Sequence, residues 1–306
     1  MRIRSVHAFI LSVTLMAFLL GQVGPAAALA QGPDNLILRP VLVGPGQPLA
    51  ALTPAAAPAS LSPAAAAPAD SPFAAQIQEK AAKQELLRQA SLAAGARFYE
   101  PIDMSQPSLA WLVEHGLLNL QPSTKAAFAY IQPYQEPNDW AHRNYCGAGA
   151  AIVLLSHWDA NLVQAPDIDE LGRQIGVNPD AGAWVYRIVD PVNRLVNEYV
   201  GADLNWYRYG EATSLDEFRQ MLQIDLGQNA VPLITGVMTY GLPGWGATNV
   251  GHIVTVYAYL QDPDGTEWVS YADTSPPIAG FYGDILHNVP LSQFWSAVSG
   301  NSAQVW

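Results

Sequence analysis

The sequence contains very little cysteine, because Cys146 is the only one in 306 residues. A single cysteine cannot form a disulfide bridge within the chain. It also leaves no cluster of thiolates that could bind a metal ion. We therefore expect no disulfide framework, no metal site and no cofactor.

Basic residues are also scarce. The chain has 14 Lys and Arg residues against 26 Asp and Glu residues, a net charge of −12, and only 13% of its residues are charged. A protein that binds a phosphate backbone needs a basic patch, and so does one that docks on an anionic membrane. We therefore expect neither nucleic acid nor an anionic membrane surface as a partner.

Long apolar runs are absent except near the N-terminus, between Ala8 and Leu20. This run follows two arginines, is shorter than the roughly 20 residues of a membrane-spanning helix, and precedes an Ala-Leu-Ala pattern at 28–30. Those features are typical of a cleaved signal peptide. We predict that residues 1–30 are a signal peptide and that the mature protein is secreted or extracytoplasmic, without stable membrane insertion. An odd cysteine in such a protein is either buried or reactive.

The remaining chain divides into three parts by composition. Residues 31–70 are rich in proline and alanine, which predicts a disordered or extended linker. Residues 71–125 contain a predicted helix over 73–94 and a shorter one over 108–118. This part is either a helical extension packed on the main domain or a pro-segment that covers a cleft. Residues 126–306 form the predicted compact domain.

Helical patterns come first in that domain, and alternating strand patterns follow. The predicted helices are 146–158, 167–175, 183–199 with Pro191 kinking or splitting it, and 214–226 with a capping box at Ser214 and a stop at Gly227. The predicted strands are 231–238, 252–260 and 266–273. Helices followed by antiparallel strands indicate an α+β fold.

Cys146 stands at the start of a predicted helix, in the stretch Tyr-Cys-Gly-Ala-Gly-Ala. The positive end of the helix dipole favours a thiolate over a thiol. The free N–H groups of the first helical turn can also stabilise an oxyanion. Cys146 is therefore a candidate nucleophile, and a buried structural cysteine is the alternative.

A nucleophilic cysteine needs a base and a group that orients the base. His252 is the best placed of the six histidines, because it follows Gly251 and opens an apolar strand. The others fall in the signal, in helical stretches or in loops: His7, His115, His142, His157 and His287.

Asp273 is the candidate orienting residue, because it ends the strand that should pair with the strand of His252. A two-residue turn around Asp264 would place Asp273 opposite Val254 or Val256, on the same face as His252. Diagonal neighbours on one face lie about 7–8 Å apart, within reach of a side-chain hydrogen bond. A turn with an odd number of residues would place the two on opposite faces. The alternative is that Asp273 serves only in the turn that follows.

Three short motifs carry a resemblance to a known family. They are Tyr-Cys-Gly-Ala-Gly-Ala at 145–150, Gly-His-Ile-Val-Thr-Val at 251–256 and Tyr-Ala-Asp at 271–273. In their order and spacing they resemble the papain-like cysteine peptidases of the C39-like group, over roughly residues 130–298. The resemblance implies a papain-like fold, with the cysteine helix packed on a C-terminal antiparallel sheet.

The resemblance also implies the roles of individual residues. Cys146 would be the nucleophile, His252 the general base and acid, and Asp273 the orienting residue. Gln135 would supply the side chain of the oxyanion hole, although it lies farther from the cysteine than is usual for the family. Other donors remain open for that role: Gln132, Asn138 and Asn144. The implied activity is cleavage of a peptide or amide bond through a thioester, with a peptide or protein as the partner.

A second hypothesis keeps the fold without the chemistry. The protein would then be a non-catalytic module that binds a peptide or a glycan along an aromatic groove. Candidate groove residues are Trp184, Tyr186, Trp206, Tyr207, Tyr209 and Trp245.

Overall fold

The computed structural model of the protein describes residues 72–94, 125–159 and 168–306. The predicted signal peptide, the 31–70 linker and the predicted 108–118 helix lie outside the described residues. Within these ranges, no helix is both long enough and apolar enough to cross a membrane.

The described residues form helices and strands in the following order. The helices are α1 (Pro72–Ala94), α2 (Cys146–Trp158), α3 (Ile168–Ile175), α4 (Val189–Val200), α5 (Leu215–Leu222) and α6 (Leu291–Val298). The strands are β1 (Lys125–Phe128), β2 (Tyr209–Glu211), β3 (Leu233–Met238), β4 (Gly251–Gln261), β5 (Glu267–Ala272), β6 (Leu286–Pro290) and β7 (Ala303–Val305). Short 3-10 segments cover Val185–Ile188 and Pro277–Ala279, and a π-helical turn covers Gln223–Gln228.

The strands form one antiparallel sheet in the order β2-β7-β3-β4-β5-β6. Strand β4 also pairs with β1, whose Phe128 lies opposite Ala258, whereas β3 pairs with β4 between Gly251 and Val256. Strands β3 and β1 therefore follow one another along β4, and β5 pairs with its other edge. Helices and an antiparallel sheet in one domain confirm the predicted α+β class.

Helix α2 is the central helix and begins at Cys146, as predicted. Its residues after the cysteine are all buried, and most of its first half consists of glycine and alanine. Small side chains let neighbouring elements approach the helix backbone closely. A Cβ atom at Gly147 would lie 3.2 Å from Ala183 Cβ and 3.4 Å from Ile253 Cδ1. The sequence around the cysteine is therefore explained by packing as well as by chemistry.

The predicted helix over 183–199 differs from the observed one at its start. A 3-10 segment precedes α4, and Pro191 lies in the first turn of α4, where it neither kinks nor splits the helix. Proline is tolerated there because the N–H groups of the first turn have no partner within the helix.

The predicted helix over 214–226 also needs a correction. The Ser214 side chain caps α5 by accepting a bond from the Glu217 N–H, as predicted. The Glu217 carboxylate, however, accepts from the Thr213 N–H, so the capping box is not closed on Ser214. Helix α5 then widens into a π-helical turn that contains Gly227, so this glycine does not end the helix.

Hydrophobic side chains pack in two main clusters. One cluster contains side chains of α2 and α4 and includes Trp158 and Trp206. The other contains side chains of α5 and α6 and includes Phe218 and Trp306. Burial of this apolar surface is the main source of stability.

Helix α1 is attached to the domain by polar contacts as well as apolar ones. Lys80 Nζ lies 2.7 Å from Asp225 Oδ1, and both side chains are fully buried. The Lys80 ammonium also lies 4.1 Å from the ring centroid of Trp206 and 4.8 Å from that of Trp306. Arg208 Nε adds a bond of 3.0 Å to Glu79 Oε1. These contacts seat α1 on the domain.

The β4–β5 hairpin differs from its prediction at the tip. The Asp262 N–H donates to the Thr266 carbonyl, which leaves Pro263, Asp264 and Gly265 as a three-residue turn. Gly265 has a φ of +88°, a conformation that favours glycine in such a turn. The prediction of an even-length turn was therefore wrong.

A β-bulge compensates for the odd turn. Ala258 pairs with Ser270, whereas Val256 pairs with Tyr271, so Tyr257 is one extra residue in β4. Its carbonyl accepts a bond of 2.8 Å from the N–H of Ala129, the residue directly after β1 on the other edge of β4. Beyond the bulge, Thr255 pairs with Ala272, and this register places Asp273 opposite Val254. His252 and Asp273 thus share a face for a reason that the sequence analysis did not foresee.

Candidate active site

The register of β4 along α2 places a histidine beside the cysteine. The Thr255 hydroxyl donates a bond of 2.7 Å to the Ala150 carbonyl, and Ile253 packs against the first turn at Gly147. Strand β4 therefore runs along α2, and Ile253 lies nearer to the N-terminus of the helix than Thr255 does. His252 comes next, and it lies near enough to Cys146 for the thiol to contribute to the raised pKa of His252.

The thiol is only partly buried, and it lies at the N-terminus of α2. Tyr145 precedes the helix without capping it by a side-chain bond. The N–H groups of Ala148 and Gly149 both donate to the Tyr145 carbonyl. The positive end of the helix dipole is thus directed at the position of the thiol.

His252 and Asp273 form a buried pair. His252 Nε2 lies 2.9 Å from Asp273 Oδ1, and the two side chains are 3% and 0% exposed. Because Nε2 bonds to the carboxylate, Nδ1 is the ring nitrogen that remains for the Cys146 thiol. The histidine therefore bridges the carboxylate and the sulfur.

Electrostatics favour the charged forms of this pair. Burial alone would lower the pKa of His252, but the negative charge of Asp273 and the bonds to Asp273 and Cys146 raise this pKa well above 6.5. Burial would likewise raise the pKa of Asp273, but the charge and hydrogen bond of His252 and the bonds from Trp245 and Ser275 together hold this pKa below 3.8. An imidazolium beside the thiol favours the thiolate.

Trp245 completes the surroundings of the pair. Its indole N–H donates a bond of 2.8 Å to Asp273 Oδ2, and its ring centroid lies 4.9 Å from that of His252. The Ser275 N–H donates a further bond of 3.0 Å to Asp273 Oδ1. The carboxylate is thus held by three donors. The sequence predicts Trp245 only as a candidate groove aromatic, not as a partner of Asp273.

The loop before α2 contributes Glu136 to this region. Gln135, the predicted oxyanion residue, has an exposed side chain, whereas Glu136 is only 3% exposed. The Thr274 hydroxyl donates to Glu136 Oε1, and the Glu136 N–H donates to the Thr274 carbonyl at 2.9 Å. The structure therefore brings Glu136 beside the site, and the role of Gln135 stays a prediction. No sequence signal had distinguished Glu136 from its neighbours.

The other described histidines have different surroundings. His142 lies between Asp139 and Asp169, at 2.8 Å and 3.1 Å from their carboxylates. His157 Nδ1 bonds to the Tyr130 carbonyl, and burial lowers the pKa of His157 to about 4. His287 packs against the rings of Tyr271 and Phe281. His7 and His115 lie outside the described residues.

The six aromatic residues of the predicted groove separate into two groups. Trp206, Tyr207 and Trp245 belong to the hydrophobic core. Trp184 and Tyr186 are 69% and 50% exposed, and Tyr209 is half-buried. The exposed pair follows Ala183, whose Cβ packs at Gly147 in the first turn of α2. Two exposed aromatic residues therefore follow a residue that packs against the first turn of α2.

Among the described residues, no group of three or more His, Cys, Asp or Glu side chains could hold a metal ion. The side chains of the site supply a thiol, an imidazole and two carboxyl groups.

Comparison with known proteins gives a distant structural likeness. No protein-family model and no curated protein sequence matches the chain. The bromelain protease from Ananas comosus in complex with the E64 inhibitor aligns at 10% identity and a TM-score of 0.40, covering 57% of this chain and 93% of that one. A recombinant stem bromelain precursor aligns at 12% identity and a TM-score of 0.38, covering 57% and 66%.

Proposed function

We propose that the protein is a papain-like thiol hydrolase that cleaves a peptide or amide bond. The observation that carries this proposal is the contact series from Cys146 through His252 to Asp273. A partly buried thiol at a helix N-terminus meets an imidazole that is held by a buried carboxylate. This arrangement supports the roles of nucleophile, base and orienting residue for the three groups.

In the first half of the reaction, the Cys146 thiolate attacks the carbonyl carbon and a C–S bond forms. The carbonyl oxygen becomes an oxyanion, which the N–H groups at the start of α2 can stabilise. Gln135 remains the predicted side-chain donor. When the oxyanion collapses, the C–N bond breaks and the His252 imidazolium protonates the leaving amine.

In the second half, neutral His252 takes a proton from water. The resulting hydroxide attacks the thioester, the C–S bond breaks and the carboxylic acid is released. Asp273 keeps the imidazole oriented and stabilises the imidazolium in both halves. The exposed aromatic surface at Trp184 and Tyr186 would contact the substrate.

The finer assignment rests on the sequence motifs. The Cys-Gly, Gly-His and Tyr-Ala-Asp motifs support membership of the C39-like group. The N-terminal pattern at 1–30 supports export of the protein to a secreted or extracytoplasmic location. Both are part of the proposal.

The test is alkylation of the full-length protein with iodoacetamide across pH, followed by mass spectrometry at Cys146. We expect iodoacetamide to alkylate Cys146 in the folded protein, because the thiol is partly exposed and lies beside His252. Hydrolysis of labelled casein should disappear in parallel with alkylation. Cys146→Ser should abolish both alkylation and hydrolysis while leaving the circular dichroism spectrum unchanged.

Two results would count against the proposal. A thiol that reacts only after denaturation would show that Cys146 is structural. Equal hydrolysis by the wild type and Cys146→Ser would show that the activity arises elsewhere.

A second function, a non-catalytic peptide- or glycan-binding module, is favoured by the exposed aromatic surface at Trp184 and Tyr186. A binding module would retain ligand after Cys146→Ser and would show no turnover in either form. Trp184→Ala would then weaken binding, whereas a hydrolase would show a raised KM.

A further inference from the structure

Glu136 is a buried carboxyl group that the proposed reaction does not use. It lies in the loop before α2, and its side chain is only 3% exposed. Buried carboxyl groups are rare unless they are paired, because removing the charge from water is costly. Its surroundings therefore indicate what it does.

Two hydrogen bonds join Glu136 to Thr274, the residue directly after Asp273. The backbone bond runs from the Glu136 N–H to the Thr274 carbonyl at 2.9 Å, and the Thr274 hydroxyl donates to Glu136 Oε1. On its other side, the Asp273 N–H donates to the Ile285 carbonyl at 2.7 Å. Glu136 thus helps to fix the chain at the carboxylate that orients His252.

Glu136 also lies against the cysteine helix. A Cβ atom at Gly149 would lie 2.7 Å from Glu136 Oε1, and Gly149 is three residues after Cys146 in α2. Residues three apart share a helix face. The carboxyl group therefore lies one turn from the thiol, on the same face.

The charged groups around Glu136 come from three parts of the chain. They are His252 at the start of β4, Asp273 after β5 and His142 before α2. Burial raises the pKa of Glu136 to about 7, with the Asp273 charge adding to the rise and Thr274 and the histidines opposing it. Glu136 is therefore neutral below about pH 7 and negative above it.

We propose that Glu136 is a positioning residue of the thiol site, whose side chain holds the chain at Asp273 and whose ionised form opposes the negative charge on Cys146. The proposal rests on the thiol chemistry proposed above. An ionised Glu136 would place a second carboxylate beside Asp273, facing one imidazolium and a thiolate. It would therefore lower the thiolate fraction and oppose the developing oxyanion.

The test compares the rate of Cys146 alkylation by iodoacetamide in the wild type and in Glu136→Gln between pH 5.5 and 8.5. Glutamine keeps the shape and the Thr274 bond but cannot ionise. The two rates should agree near pH 5.5. The Glu136→Gln rate should become about threefold higher by pH 8.5, a change typical of one nearby charge at moderate effective dielectric. The midpoint should lie at about pH 7.

Thr274→Val provides a second variant that keeps Glu136. It removes a hydroxyl whose hydrogen bond lowers the pKa of Glu136. The midpoint of the Glu136 effect should therefore move to a higher pH, which a purely structural role would not produce. Glu198→Gln, which changes an exposed carboxylate on α4, is the matched control and should follow the wild type.

The outcomes separate this inference from the proposed function. Wild-type and Glu136→Gln rates that stay in a constant ratio across pH would overturn the inference, and so would a Thr274→Val midpoint equal to that of the wild type. If the ratio of the alkylation rates changes with pH as expected but neither protein hydrolyses casein, the result would support the inference and count against the hydrolase. A folded Glu136→Gln protein whose Cys146 does not react at any pH would also overturn the inference, because glutamine represents the neutral form.

Discussion

Two buried acid–base pairs lie in different regions of the molecule, and they have different surroundings. His252 and Asp273 meet at the ends of two strands, and Lys80 and Asp225 join α1 to the π-helical turn. Both pairs are almost completely shielded from water. Burial of an ion pair therefore does not by itself identify a reactive site.

The partners of each pair make the difference. Asp273 accepts from Trp245 and Ser275 as well as from His252, and His252 contacts a partly exposed thiol. The Lys80 ammonium instead faces the rings of Trp206 and Trp306. One pair is connected to a group that can react with a ligand, and the other is enclosed by the core.

The pKa values of the four side chains also distinguish the two pairs. Burial lowers the pKa of Lys80 to about 8 and raises that of Asp225 to about 6, although each partner partly offsets the effect. The pKa of His252 is raised and that of Asp273 is lowered. Charge is thus favoured at the His252–Asp273 pair, as expected for a functional pair, and costly at the Lys80–Asp225 pair, as expected for a structural one.

The largest expected effect is the loss of chemistry in His252→Ala. Removing the base should lower casein hydrolysis by about a thousandfold or more, because no other group takes the proton from Cys146. The free energy of unfolding should change less than the hydrolysis rate, since Asp273 still accepts hydrogen bonds from Trp245 and Ser275. The measurements are initial hydrolysis rates and thermal unfolding. Hydrolysis within tenfold of the wild type would show that His252 is not the base.

The next effect is the loss of stability in Lys80→Met. Asp225 would be left buried without its cation, which typically costs about 3–5 kcal/mol of unfolding free energy. Hydrolysis per folded molecule should stay at the wild-type level. Urea unfolding followed by tryptophan fluorescence measures the free energy. A variant as stable as the wild type would remove the structural role of this pair.

Sequence patterns predicted the parts of the site that lie on regular elements. The small-residue stretch after Cys146 predicted a buried helix, and the apolar alternation after His252 predicted a strand. The shared face of His252 and Asp273 was also predicted, although from an incorrect two-residue turn. The bulge at Tyr257 restores the register that the three-residue turn shifts. A bulge leaves little trace in a sequence, since it depends on pairing with other strands.

The parts of the site that come from loops could not be predicted. Trp245 belongs to a glycine-rich loop and Glu136 to a loop rich in prolines, so neither has a periodic pattern that fixes its direction. Gln135 and Glu136 are adjacent, yet only Glu136 is buried. Which of two neighbours turns inward depends on the bond between Glu136 and Thr274, residues far apart in the sequence. The same applies to Lys80 and Asp225, which pattern analysis of either helix alone would not pair.

A smaller effect is expected when both members of the structural pair are replaced. Lys80→Met combined with Asp225→Leu removes the buried charges together. The double variant should lie within about 1 kcal/mol of the wild type in unfolding free energy, because well-packed apolar groups often replace a buried ion pair without loss. Urea unfolding of the single and double variants gives the coupling energy. Additive losses would show that Lys80 and Asp225 stabilise the protein independently.

The most local effect is expected for Trp245→Phe, which removes one of the three donors to Asp273 and keeps most of the ring contact with His252. Loss of one hydrogen bond to a charged group is worth about 1.5–3 kcal/mol when the group stays buried. Here His252 and Ser275 still hold the carboxylate, so we expect about a tenfold fall in hydrolysis at the lower end of that range. The His252 titration should shift as well, because Trp245 bonds to the carboxylate whose charge raises the pKa of His252. Histidine NMR shifts followed across pH measure that titration directly, with Trp184→Phe as the matched control on the exposed surface. If His252 titrates in Trp245→Phe as it does in the wild type, the indole only fills space beside the site. Trp245 would then play the same packing role at Asp273 that the aromatic rings play at Lys80.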